Sequence, residues 1–296
     1  VAEVKSYLYR IRRNRSAYYF ILPAFLLFFL FAFKPLIEAI RLSFFRAGLK
    51  TQTFVGVENY VQMINDSLFW LELKNTFLFV SILVPLIVGL ALLISFVIFK
   101  LNRLMQSLFR GAFYLPVVSA GVVMSMVWAW IFHPVYGLLN YILSLVSIGP
   151  IPWLATPTTA RLAVVIVVLH WTIGSAIIIY LSALSSIPES LYEAAEIDGA
   201  GGWHKFIKIT IPLISPTTIF LLVTNTIGVF QVWKAIFLMT SGGPAYTTTS
   251  IVYRIYRLGF LYYRFGQASA HAVVLLVIIF VISFLQFKYL NRKLEY

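Results

Sequence analysis

The sequence predicts an all-α, polytopic membrane protein of about six spanning helices, and three observations carry that prediction. Of the 296 residues, 61% are hydrophobic and 11% charged, whereas a soluble domain carries about a quarter charged residues. Mean hydropathy is +0.91. Carboxylates are absent from 73–188 and again from 199–294, as expected where helices lie in lipid.

The elements follow in order. Apolar runs at 17–40, 73–99, 111–132, 162–184, 211–239 and 268–289 each approach the roughly 20 residues needed to cross a bilayer as a helix. They are continuous rather than alternating, which excludes barrel strands. Residues 1–16 form a basic segment with Arg10, Arg12, Arg13 and Arg15. It is too basic, and lacks the small-residue cleavage site, for a removable signal peptide. It is expected to touch lipid headgroups rather than nucleic acid. Lys34 interrupts the first run, and Glu38 one turn later is its expected i,i+4 partner. Segment 44–72 reads as interfacial, with Phe69 and Trp70 suited to the headgroup zone.

An even number of spans puts both termini on one side. That side also holds Lys100, Arg103, Arg110, Lys205, Lys208, Lys288, Arg292 and Lys293, so the positive-inside rule makes it cytoplasmic. The opposite side holds a charge-free crossover at 134–160 with Gly149, Pro150, Pro152 and Pro157, turn-rich and partly helical. It also holds segment 240–267, with Arg254, Arg257 and Arg264 and no acid.

Cysteine is absent, and the four histidines (His133, His170, His204, His271) show no metal-ligand spacing. No metal ligand, acid–base cluster or nucleophile is found, so no catalytic residue is expected.

The loop at 187–216 is the most specific feature. Pro188 suits a helix start, with Glu189, Glu193 and Glu196 in the N-terminal half. Leu191, Ala194, Ala195 and Asp198 share one face, and Gly199, Gly201 and Gly202 are expected to end the helix. A second helix with Trp203, Phe206, Ile207 and Ile209 leads to Pro212. The Gly-rich run lacks a Gly-Lys-Ser/Thr ending and a preceding strand, so it is no phosphate loop.

Glu193-Ala194-Ala195, Gly199, Ile209 and Pro212 resemble, at matching spacing, the EAA loop of ABC importer permeases. The likeness runs over nearly the whole chain. Gly56-Val57-Glu58-Asn59-Tyr60, Asn75-Thr76, Trp130 to Pro134 and Tyr136 to Asn140 are similar to carbohydrate-importer permeases. Phe230-Gln231-Val232-Trp233 and Met239 to Pro244 are similar to the maltose-type F subunit. Phe265-Gly266-Gln267-Ala268 and His271 depart from that pattern, where aromatic and apolar residues are more usual.

The resemblance implies a type I importer transmembrane domain over 17–296. It implies that Glu193, Ala194, Ala195, Asp198 and Gly199 receive motion from an ATPase. It further implies a G-type permease partner, two ATP-binding subunits that hold ATP-Mg, and an extracytoplasmic solute-binding protein. No cofactor is expected on this chain, whose place is the bacterial inner membrane.

Cargo is read from charge. Net charge is +13, and Lys234, in the outer half of the fifth run, has no acidic neighbour in sequence. Intramembrane ionisable groups mark pathways. With Gln231, Trp233, His170, Thr172 and Ser175 it forms the expected pathway set, able to stack on sugar faces and bond hydroxyls. Arg254, Arg257 and Arg264 form the expected outer basic surface. Whole-chain resemblance to alginate-importer permeases, taken with this charge, implies an acidic, alginate-like oligosaccharide as the expected cargo, with a neutral oligosaccharide or a glycerol phosphate compound as the alternative. A stand-alone secondary transporter, the rival class, would need intramembrane carboxylates, and none falls in runs two to six.

Overall fold

The computed structural model describes residues 15–119 and 121–291. The arginines at 10, 12, 13 and 292, with Lys5 and Lys293, lie outside the described residues. The chain folds as two compact units, Val1–Met63 with Leu258–Val273, and Ile64–Arg257 with Val274–Tyr296.

In the first unit, α1 (Arg15–Phe28) passes through a π-helical turn (Phe29–Phe33) into α2 (Lys34–Leu42). The continuous span Tyr18–Leu42 buries none of its residues. Glu38 takes Arg41 as its partner, at 2.5 Å, and not Lys34. The i,i+3 guanidinium lies close enough to bond both carboxylate oxygens, which a lysine cannot match. A two-stranded antiparallel hairpin, β1 (Phe45–Ala47) and β2 (Gln52–Phe54), follows, with Arg46 opposite Thr53. Then comes α3 (Glu58–Asn65). Buried Asn59 donates to the Ser43 and Phe45 carbonyls. At Gly266 an added Cβ would sit 1.9 Å from the Phe45 carbonyl oxygen, so only glycine fits there.

The second unit is built on two long helices, α4 (Ser67–Phe99) and α8 (Pro157–Ser185). Phe79, Leu83, Ile87 and Ala91 pack with Val164, Val168, Ile177 and Leu181 in one core. Ser95 reaches across to the Ile177 carbonyl at 3.1 Å, the polar contact between helices that lipid favours. Against α8 lies α5 (Arg103–Val118), followed by α6 (Gly121–Ile131). At Gly174 an added Cβ would fall 1.9 Å from the Phe113 carbonyl oxygen, so α5 and α8 meet backbone to backbone. The crossover at 134–160 contains α7 (Leu138–Leu145). Its turns are pinned by buried Asn140, which bonds Pro134, Ile151 and the Trp153 indole.

Beyond α8 come α9 (Glu189–Ile197), α10 (Gly202–Lys205), a π-helical turn (Phe206–Thr210) and α11 (Ile211–Leu213). α12 (Ser215–Phe230), a third π-helical turn (Ile236–Thr240) and α13 (Ile251–Tyr256) follow. After a last π-helical turn (Arg257–Leu261), α14 (Phe265–Asn291) closes the chain. Among the described residues four helices are long and apolar enough to span a membrane, and six spans result if each of two bent pairs counts as one.

Three expectations need correction. The third run is two helices, α5 and α6, and begins eight residues early because Asn102 caps Met105. The fifth is bent by 63° after Leu213 and broken again after Phe230. The second span begins at Ser67, where the Asp66 side chain caps the helix by accepting from the Leu68 N–H. Glu72 therefore lies inside it, fully buried, and a carboxylate is present within a spanning helix after all. Phe69 is also buried rather than facing headgroups, while Trp70 stays exposed and donates to the Ile64 carbonyl.

Candidate functional site

Where α12 ends, Gln231 closes the helix, 232–233 are irregular, and a helical turn restarts at Lys234. The break leaves a cavity of about 190 Å³ lined by Trp171, Thr172, Asn225, Gln231, Trp233 and Lys234, with Thr224 and Gly228. Lys234 is exposed and, among the described residues, forms no ion pair. Its Cδ and the Trp171 ring lie near Gly121, each 3.7 Å from where a Cβ there would sit.

Lys234, Gln231, Trp233 and Thr172 of the expected pathway set thus converge. His170 and Ser175 do not line the cavity: His170 stands edge-on to Trp128 at 5.5 Å, and Ser175 donates to the Thr172 carbonyl on its own helix. Thr224 and Asn225 escaped the sequence reading. Their signal was available as a polar pair inside an apolar run, the pattern that marks pathway or packing positions in lipid.

The wall behind Trp233 is aromatic. Trp233 stacks on Tyr256 at 5.1 Å, and Phe237 meets both Tyr256 and Tyr253. Ser250 donates to the Val232 carbonyl at 2.8 Å. The three arginines expected to form an outer basic surface differ in their surroundings. Arg254 is mostly buried, hydrogen-bonds Asp66, and lies 3.9 Å from Glu72. Arg257 lies over the Tyr246 and Tyr253 rings. Arg264, in the first unit, is exposed beside Arg46, Gln62 and Gln267 around a cavity of about 320 Å³. The sequence reading missed the Arg254 pair because its acids lie some 180 residues away in sequence.

The loop at 187–216 forms a second candidate site. α9 starts after Pro188 and stops at Gly199, whose φ of +77° is costly for any residue with a Cβ. Gly202 opens α10 rather than ending α9. Glu193, Ala194, Asp198 and Gly199 are exposed and Ala195 is half-buried. Ala195, Asp198, Gly199, His204, Lys208 and Ile209 line a shallow groove. Ile197 is 88% and Trp203 74% exposed beside it, apolar surface of the kind that marks a partner site. The two arms are tied by the Tyr192–Thr210 hydroxyl bond and by Lys205–Glu196, both at 2.9 Å. Lys205's hydrogen bond holds the Glu196 carboxyl below its ordinary value. Phe206 packs on Phe96 at 4.5 Å, joining the loop to α4.

Known proteins place this architecture. Residues 73–296 match the family of binding-protein-dependent transport system inner membrane components. A lactose transport system permease protein of Rhizobium radiobacter is 34% identical over 277 residues, covering 92% of this chain and 93% of the relative. An sn-glycerol-3-phosphate transport system permease protein of Agrobacterium fabrum is 34% identical over 284 residues, covering 94% and 96%. A chain from a bacterial alginate ABC transporter, crystallised with an alginate pentasaccharide-bound periplasmic protein, superposes with TM-score 0.84 at 26% identity, covering 97% of each chain. The chain therefore belongs to the binding-protein-dependent transport system inner membrane components, as a permease subunit of an ABC importer.

Proposed function

We propose that this chain is the F-type half of a heterodimeric pore through which an ATP-driven importer moves an acidic, alginate-like oligosaccharide into the cytoplasm. The observation that carries this reading is the cavity at the α12 break, where Lys234 stands without an acidic partner among the described residues, beside Trp171, Trp233, Asn225 and Gln231. Indole faces stack on sugar rings, amides bond hydroxyls, and an ammonium at the cavity edge attracts a carboxylate. The alginate transporter's likeness supports the cargo class, and its periplasmic protein supports delivery by an extracytoplasmic binding protein.

Glu193, Ala194, Ala195, Asp198 and Gly199 dock on one of two ATP-binding subunits, which hold ATP-Mg. Closure of those subunits pushes the 187–216 loop and opens the pore inward. The chain does no covalent chemistry. Both termini lie in the cytoplasm, and a G-type subunit supplies the other half of the pore.

A second cargo reading has its own support. The relatives named for lactose and for glycerol-3-phosphate are each 34% identical, which favours a neutral oligosaccharide or a phosphorylated glycerol compound. The test is ATPase activity in reconstituted complexes, stimulated by binding protein loaded with uronate oligomers, neutral oligosaccharides or glycerol phosphates. Stimulation by uronates above the rest is expected. Stimulation by neutral sugars alone would remove the charge argument, and by glycerol phosphates alone would transfer it to phosphate.

A further inference from the structure

The cluster of Asp66, Glu72 and Arg254 has no place in the pathway as drawn so far. Glu72 is fully buried, and among the described residues neither of its oxygens has a hydrogen-bond partner. Its nearest opposite charge is the Arg254 Nε at 3.9 Å, an atom that also lacks a hydrogen bond. Arg254 is bonded through a terminal nitrogen to Asp66. One guanidinium thus answers two carboxylates on the first turns of α4, and its own backbone belongs to α13.

The same face of α4 holds the turn before α13 and the first residue of α13 by two further contacts. Asn75 donates to the Tyr246 carbonyl at 2.9 Å, and the Thr76 hydroxyl accepts from the Ile251 N–H at 3.1 Å. From α13 the contacts continue into the cavity wall. Tyr256 stacks on Trp233, and Ser250 holds the Val232 carbonyl. Val232 and Trp233 are the irregular residues of the α12 break; the Val232 N–H reaches back to the Val229 carbonyl at 3.1 Å and the Trp233 carbonyl accepts from the Phe237 N–H at 2.8 Å, while the Val232 carbonyl and the Trp233 ring are held by Ser250 and Tyr256. α13 thus braces the break from the side, and α4 braces α13.

We infer that Arg254 is a positioning residue, whose attachment to Asp66 and Glu72 sets the Trp233–Lys234 wall of the cavity through Ser250 and Tyr256. The chemistry fits this task better than contact with cargo. A buried guanidinium with two carboxylates within reach carries no net positive charge to offer an anion, and it forks to fix orientation where an apolar side chain would slide. The inference rests on the reading of the cavity as the oligosaccharide site.

The test uses the complete importer in proteoliposomes and the absence of native cysteine in the chain. R254M is compared with R254K, and with Y256L, which removes the ring against Trp233 and leaves the charges in place. Two readouts are taken: the KM and maximal rate of uronate uptake, and the rate at which a hydrophilic maleimide labels cysteine at position 234 (K234C) in each background. R254M and Y256L are expected to raise KM about fivefold with under twofold loss of maximal rate, and R254K to restore KM to within about twofold. Labelling at 234 is expected to change at least threefold in R254M and Y256L, with labelling of W203C in the cytoplasmic loop unchanged. Parental labelling at 234 in R254M and Y256L overturns the inference. If R254M does not assemble, parental labelling in Y256L overturns it in the same way. A labelling change with no change in KM for any sugar keeps the positioning role and sinks instead the reading of the cavity as the sugar site.

Discussion

Two cation–carboxylate contacts in the second unit use the same functional groups to opposite ends. Lys205 and Glu196 meet at 2.9 Å in the 187–216 loop, where the Lys205 and Glu196 side chains are 18% and 77% exposed. Arg254 meets Asp66 and Glu72 where Arg254 is 14% exposed and Glu72 not at all. Water screens the first, so it trims the angle between two short helices and contributes little else. The second is largely withdrawn from water, reaching it mainly through Asp66, which is 33% exposed. Its attraction must offset the desolvation of its charges, and losing one partner leaves the others stranded. Exposed charge in this protein is free to meet a partner subunit, while buried charge is committed to holding the frame.

The largest expected effect breaks the buried side of that contrast. R254M should destabilise the detergent-solubilised protein by about 1–3 kcal/mol, because buried Glu72 then loses the guanidinium beside it. The double variant E72M/R254M should recover most of that loss in a thermal melt. If the double variant is no more stable than R254M, Glu72 is not the source of the cost.

Next in size is G199V, which puts a branched Cβ at φ +77°. About 1–2 kcal/mol of backbone strain should re-aim α9, and uptake should fall at least tenfold while the protein still inserts. Normal binding-protein-stimulated uptake in G199V would detach the bend from coupling.

K234M should come third, raising KM for an acidic oligomer about tenfold, near 1.4 kcal/mol, and for a neutral one under twofold. Equal effects on both would show that Lys234 only lines the cavity. The smallest effect belongs to the exposed pair. The Glu196 carboxyl is held below its ordinary value by Lys205, so its contribution is complete above the ordinary carboxylate range, near pH 4.3, and fades as pH falls through the lowered value. Melts from pH 7 down to pH 3 should show that slope flattened in K205M; an unchanged slope would mean that the pair adds nothing.

Much of this was legible in the sequence, for reasons that also explain what was hidden. Spanning helices announce themselves by length of apolar run, and the α9 bend by Pro188 and Gly199, because local chemistry alone decides both. The start of α4 was placed six residues late because 67–72 is mixed in polarity and only the Asp66 cap reveals it. The break at 231–233 was read through as one helix since nothing in Val232-Trp233 forbids a helix; contacts from Ser250 and Tyr256 brace it. Glu38 chose Arg41 over Lys34 on geometry that spacing does not contain. Of the pathway set, Lys234, Gln231, Trp233 and Thr172 came together, and His170 and Ser175 turned to their own neighbours.

The meeting of Gly174 with the Phe113 carbonyl has a mechanical meaning. Two helices joined through flexible side chains form a compliant joint, which can take up a small displacement by changing rotamers. α5 and α8 have no such cushion at this point, where an extra carbon would fall 1.9 Å from a backbone oxygen. Only three residues separate α8 from α9, the first arm of the loop. The joint at Gly174 therefore ties α5 to α8, and a displacement of α8 at that point is passed to α5 with little slack.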